Sequence, residues 1–116
     1  MAYGFDKTRR LLIKKDFDAV FKNALRLTSS EFTVLFCRNQ LEHPRLGLVL
    51  SKKMINKAHD RNRIKRILRE SFRLHSHLPA VDVVVLARPA VNKALSNQIN
   101  ANLGKLWNEL STQHAT

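Results

Sequence analysis

The sequence predicts an α+β fold, a single α/β sandwich in which helices pack on one mixed sheet. Apolar residues make up 44% of the 116 residues, which is enough for one hydrophobic core. Segments with helical spacing alternate with short β-branched runs, in the order helix, strand, strand, helix, strand, helix. We therefore expect one domain over residues 1–116, with flexible tails at 1–10 and 112–116.

The first helix is expected within residues 14–27. Apolar residues recur there every three or four positions, which is the spacing of one helix face. These residues are Phe17, Val20, Phe21, Ala24 and Leu25. The sequence Thr-Ser-Ser at 28–30 then indicates a turn.

Two strands are expected at 31–38 and 45–51. In the first, Phe32, Val34 and Phe36 share one face, and Thr33, Leu35 and Cys37 share the other. The polar segment 39–44 between the strands is short enough for an antiparallel hairpin.

The second half of the chain predicts a basic helix, a strand and a final helix. Ile64, Ile67, Leu68 and Phe72 repeat at helical spacing, and Pro79 bounds that helix on its far side. Residues 81–87 are almost continuously apolar, as in a strand that is covered on both faces. A helical stripe follows at Leu95, Ile99, Leu103, Leu106, Trp107 and Leu110, in which Trp107 is expected to be a core or edge residue.

The charge of the chain predicts a polyanionic partner. There are 21 Lys and Arg residues against 9 Asp and Glu, giving a net charge of +12. Residues 51–75 hold nine of the basic residues and only two acids, and a smaller basic cluster lies at 7–15. Such a field attracts nucleic acid first and an anionic membrane surface second. No apolar run reaches 18 residues and residues 1–15 lack a signal-peptide core, so a cytoplasmic location is expected.

The sequence shows none of the motifs that usually mark protein-based catalysis or a metal site. Cys37 is the single cysteine, which excludes an intrachain disulfide and a Cys-based zinc cage. No Gly-rich phosphate loop, HExxH motif or paired-His spacing occurs. We therefore expect no catalytic residues and no metal ligands in the protein.

The densest basic stretch, residues 61–73, reads RNRIKRILRESFR. Arginine can contact phosphate oxygens through two N–H groups and can stack on bases, which favours a folded RNA as partner. No second helix and turn precede the stretch as in a helix-turn-helix, so DNA is not expected. Together with Ser51-Lys52-Lys53, the stretch closely resembles the protein subunit of bacterial ribonuclease P. The matching positions are Arg61, Asn62, Arg63, Lys65, Arg66 and Arg69.

The resemblance covers the chain from about residue 11 to residue 110. It implies a left-handed βαβ crossover through the basic helix, where patterning alone predicts the usual right-handed one. It also implies that an RNA subunit, expected in a 1:1 complex, performs the hydrolysis with bound magnesium ions. The protein would bind this RNA and the 5′ leader of precursor tRNA, without a tightly bound cofactor of its own.

The resemblance further assigns two sets of binding residues. The catalytic RNA would contact Arg61, Asn62, Arg63, Lys65, Arg66 and Arg69, with Lys52 and Lys53 at the edge. The leader would lie in a cleft between the first helix and the sheet, formed by Phe17 and Phe21 on the helix and by Phe32, Val34 or Phe36 on the strand. Lys14 and Lys15 would hold its phosphates. A core position stays an alternative for each aromatic, and a general structured-RNA-binding or ribosome-associated protein stays an alternative function.

Overall fold

A computed structural model describes residues 9–75 and 78–115, without the side chains of residues 114 and 115. The elements are α1 (Lys14–Asn23), β1 (Leu25–Thr28), β2 (Phe32–Arg38), β3 (Arg45–Val49), α2 (Ala58–Leu74), β4 (Val81–Ala87), a 3-10 helix (Pro89–Lys93) and α3 (Ser96–Ala115). This is the predicted α+β fold with one mixed sheet. No helix in the described part of the chain is long and apolar enough to cross a membrane.

The four strands lie in the order β1-β2-β4-β3. β2 pairs with β1 and with β4 in antiparallel fashion, whereas β3 and β4 are parallel and joined through α2. The predicted hairpin between 31–38 and 45–51 is therefore wrong, because β4 lies between these two strands. β4 takes an inner position, as expected for the most apolar strand, and Val81 to Val85 are buried on both faces.

The predicted first helix is too long. α1 ends at Asn23, and Leu25–Thr28 forms β1, which pairs with β2 from Leu25 opposite Phe36 to Thr28 opposite Thr33. Leu25 fits both the helical stripe of α1 and a strand alternation with Leu27, so its spacing alone does not decide between the two. The hydrogen bonds that β2 offers favour the strand, in which Leu27 is buried and Leu25 stays exposed.

The helices cover the sheet in two layers. α2 and α3 pack on one face, where Ile64, Leu68 and Trp107 join the main core cluster. Trp107 is fully buried, its Nε1 donates to Ser71 Oγ at 2.8 Å, and its ring meets the Phe72 ring edge-on at 5.8 Å. The core role predicted for Trp107 is confirmed, whereas Leu95 precedes α3 and is exposed.

α1 covers the opposite face of the sheet, where a smaller cluster contains Leu11, Val20 and Val84. The exposed side of α2 and the space between α1 and the sheet therefore lie on opposite faces of the sheet.

The predicted tails are only partly within the described residues. Residues 1–8 and 116 lie outside them. Arg10 forms an isolated parallel bridge with Leu46, and α3 continues through 112–115. The N-terminal segment thus extends the sheet beyond β3, and the flexibility of both ends stays a prediction.

Candidate nucleic-acid interface

α2 separates an apolar face from a cationic one. Ile64, Leu68 and Phe72 are buried against the sheet. On the side turned to solvent, Asn62 and Arg66 are exposed one helical turn apart. Lys65 and Arg66 have no acidic partner among the described residues. The position of these groups leaves them available to an anionic partner.

Two of the predicted RNA-binding arginines also donate hydrogen bonds within the protein. Arg61 Nη1 donates to the carbonyl oxygen of Ile55 at 2.8 Å, which fixes the connection before α2. Arg63 Nη1 donates to Ser96 Oγ at 2.9 Å, at the start of α3. Since a guanidinium carries five N–H donors, each arginine keeps donors for phosphate oxygens.

A groove of about 170 Å³ runs along the flank of α2 and contains Lys65 and Arg69. Arg10 enters this groove from the N-terminal segment, which is held because Leu11 N donates to the carbonyl oxygen of Leu46 at 3.0 Å. Desolvation, and after it the charge of Arg10, lowers the pKa of Arg69 from its ordinary value. An anion in the groove would relieve this repulsion. Arg10 is not among the predicted site residues, and its only signal in the sequence is the basic cluster at 7–15.

Lys52 and Lys53 are exposed in the turn after β3. The turn is closed by backbone bonds from the N–H groups of Met54 and Ile55 to the carbonyl oxygen of Ser51. Arg61 binds the same turn through Ile55, so the turn that carries the two lysines is held close to the start of α2. Their contact with RNA stays a prediction.

A second depression, of about 580 Å³, lies on the α1 side of the sheet. We call it the α1 cleft. Its lining includes Phe21, Thr33, Leu35, Leu86, Arg26 and Arg88. Phe21 is 48% exposed, so an apolar ring is offered to solvent beside two guanidinium groups. Such a site suits an unpaired base together with its phosphates.

The strand side of this cleft differs from the sequence prediction. Phe32, Val34 and Phe36 are buried in the core beneath α2 and α3. Because alternate residues of a strand point to opposite faces, Thr33 and Leu35 line the α1 cleft instead. The assignment of the three buried residues to the leader wall is therefore wrong.

The two helix aromatics belong to different depressions. Phe21 lines the α1 cleft, whereas Phe17 lines the groove beside α2. The Phe17 ring lies on Gly47, where a Cβ atom would be only 2.6 Å from Phe17 Cε1. Lys15 is exposed, and Lys14 forms an exposed ion pair with Asp18 at 3.0 Å, an arrangement that contributes little to stability.

The two depressions are lined mainly by Lys, Arg and apolar side chains. Within residues 9–75 and 78–115, no group of three or more His, Cys, Asp or Glu side chains is placed to hold a metal ion.

Comparisons with known proteins agree on one family. The family model described as Ribonuclease P matches residues 5–111. A ribonuclease P protein component of Legionella pneumophila (strain Corby) is 56% identical over 110 residues, which is 95% of this chain and 96% of the relative. One of Proteus mirabilis (strain HI4320) is 50% identical over 105 residues, 90% of this chain and 88% of the relative.

A solved structure shows the same fold. The ribonuclease P protein of Staphylococcus aureus superposes with a TM-score of 0.80 at 36% identity, covering 85% of this chain and 92% of that one. The family-model match spans residues 5–111 and therefore includes all of α2, which carries the assignment beyond a shared architecture. This chain belongs to the ribonuclease P protein family.

Proposed function

We propose that the protein is the subunit of ribonuclease P that binds the catalytic RNA and the 5′ leader of precursor tRNA, and so promotes removal of the leader. The observation that carries this proposal is the cationic side of α2, where the exposed Arg66 and the half-buried Lys65 have no acidic partners among the described residues. A solvent-facing array of this kind binds phosphates through charge-assisted hydrogen bonds.

The proposed contribution of the protein is electrostatic. The catalytic RNA and the precursor are both polyanions, and a protein of net charge +12 between them reduces their repulsion. Release of counterions makes this contribution steeply dependent on salt. In this proposal hydrolysis is carried out by the RNA subunit with its magnesium ions, one protein binds one RNA, and the complex is cytoplasmic. The protein itself supplies no catalytic group and holds no cofactor tightly.

The α1 cleft is the proposed place of the leader. Phe21 offers a face on which any base can stack, so the leader binds with little demand on its sequence. Arg26 and Arg88 are in the same lining and supply charge for the phosphates. Thr33 and Leu35 take the wall positions that sequence analysis gave to the neighbouring residues of β2.

The alternative is a general structured-RNA-binding or ribosome-associated protein without a role in processing. Both functions predict binding through α2. Only the first predicts that the complex of protein and RNA subunit distinguishes a precursor, which has a leader, from mature tRNA, which has none.

Replacing Phe21 by Ala should weaken binding of a leader-bearing precursor by about 1–3 kcal/mol, because one base loses its stacking partner. Affinity for mature tRNA should not change. The two affinities are measured with the reconstituted complex, and Leu41→Ala, an exposed apolar residue in the loop between β2 and β3, is the control. Equal affinities of the unmodified complex for both RNAs would favour the alternative function.

A further inference from the structure

A chain of ion pairs links α1 to the sheet. At the start of β3, Arg45 donates from Nε and Nη2 to the two carboxylate oxygens of Asp82 in β4, at 2.8 and 2.7 Å. The third nitrogen of the guanidinium, Nη1, donates to Asp16 Oδ2 in the first turn of α1 at 3.3 Å. Asn39 Nδ2 completes the network with a bond to Asp82 Oδ1 at 2.9 Å.

This network is sheltered from solvent. The side chains of Arg45, Asp82 and Asp16 are 20%, 9% and 27% exposed, whereas those of the surface pair Lys14 and Asp18 are 90% and 58% exposed. Burial reduces screening, so the inner pairs hold their geometry more firmly than a surface pair does. The bidentate contact also fixes the plane of the guanidinium, and thereby the place where the third nitrogen meets Asp16.

Asp16 is the residue of α1 that binds the Arg45–Asp82 pair of the sheet. The N-cap position, Ile13, offers no side-chain hydrogen bond to the helix. The Lys14–Asp18 pair lies within α1 and cannot tie the helix to the sheet. Towards the sheet, the helix is placed by the buried Val20, by the Phe17 ring on Gly47, and by the ion pair of Asp16.

The position of Asp16 connects this tether to the α1 cleft. Phe17 follows Asp16 directly, and Phe21 lies one helical turn further on the same face. At a rise of about 1.5 Å per residue, Phe21 is only about 7.5 Å along the axis from Asp16. We therefore expect a shift of the first turn of α1 to separate the Phe17 ring from Gly47 and to move the Phe21 ring, which lines the α1 cleft.

We infer that Asp16, held by the Arg45–Asp82 pair, is a positioning residue that sets the place of α1 and so the geometry of the α1 cleft for a single-stranded RNA segment. This inference rests on the proposed function, since it assumes that the leader occupies the cleft. Asp16 acts through α1 and contacts no RNA itself.

The test compares Asp16→Asn with Asp18→Asn in the reconstituted complex. Both variants lose one negative charge from the same helix, so a general gain in attraction for RNA is equal in the two. Asp16→Asn should lower the preference for precursor over mature tRNA by about 3- to 10-fold, the usual size of such a coupling. Asp18→Asn should not lower it, because the change only frees Lys14 from its partner. Asp16→Glu, which keeps the carboxylate, should restore most of the preference.

A second readout tests the position of α1 without any RNA. The Phe17 ring lies against Gly47, so the backbone amide of Gly47 reports on α1 through its NMR chemical shift. The chemical shift of this amide should change in Asp16→Asn and remain unchanged in Asp18→Asn. Identical behaviour of both variants would overturn the inference, and so would a moved signal with an unchanged preference for the precursor. If the unmodified complex shows no preference at all, the proposed function fails together with the link to the leader, while the Gly47 signal still decides whether Asp16 positions α1.

Discussion

Reversing two charges on α2, by Lys65→Glu together with Arg66→Glu, should weaken binding of the ribonuclease P RNA by about 10²- to 10⁴-fold. Each basic residue in contact with phosphate contributes on the order of 1–3 kcal/mol, and a carboxylate in its place adds repulsion. Arg66 is exposed and Lys65 is half-buried in the lining of the groove, so neither change removes a buried core residue of α2. Binding is measured by titration of the protein into labelled RNA at several salt concentrations.

The matched control is Arg38→Glu together with Lys105→Glu. It also reverses one arginine and one lysine, at exposed positions outside α2 and outside the lining of the α1 cleft. We expect a much smaller loss of affinity from this pair, and a shallower salt dependence only for the α2 variant, since it removes phosphate contacts. Equal losses in both variants would mean that net charge alone attracts the RNA, and the proposed role of α2 would be wrong.

Replacing Trp107 by Ala should lower the free energy of unfolding by about 3–5 kcal/mol, the usual cost of removing a large aromatic residue from a core. Trp107 belongs to α3 and is fully buried against α2, and the change also leaves Ser71 Oγ without the indole N–H. A loss of this size is a large share of the stability of a small domain.

The measurement for Trp107 is urea denaturation followed by far-UV circular dichroism, because the variant lacks the chain's single tryptophan. Leu95→Ala is the control. Leu95 is 64% exposed, and we expect a change within about 0.5 kcal/mol there. A loss below about 1 kcal/mol for Trp107→Ala would contradict the packing described for α2 and α3.

The local patterns in the sequence predict most elements of the fold but not how the strands pair. The apolar run of residues 81–87 predicts β4 and the apolar stripe of residues 64–72 predicts α2, and both predictions are confirmed. The hairpin prediction used loop length alone. It could not anticipate that β4, which follows β2 by more than forty residues, would take the place between β2 and β3.

The cationic part of the candidate site could be predicted from the sequence, because the Lys and Arg residues of α2 identify it by their type and spacing alone. The cations of α2 face solvent because the opposite stripe is apolar. The wall of the α1 cleft was not predictable, since both faces of β2 are largely apolar and only the packing of α1 shows which one borders the cleft. Arg10 was missed for a related reason: its place beside Arg69 depends on the bridge to Leu46, which no local pattern predicts.

The most direct test of the proposed function is cleavage of the 5′ leader from a precursor tRNA at low magnesium concentration. Three reactions are compared: the protein alone, a ribonuclease P RNA alone, and the two together. We expect strong stimulation only in the mixture, because the protein reduces repulsion between two polyanions and holds the leader. Cleavage by rigorously RNA-free protein would contradict the assignment of catalysis to the RNA, and binding without stimulation would contradict a role in processing.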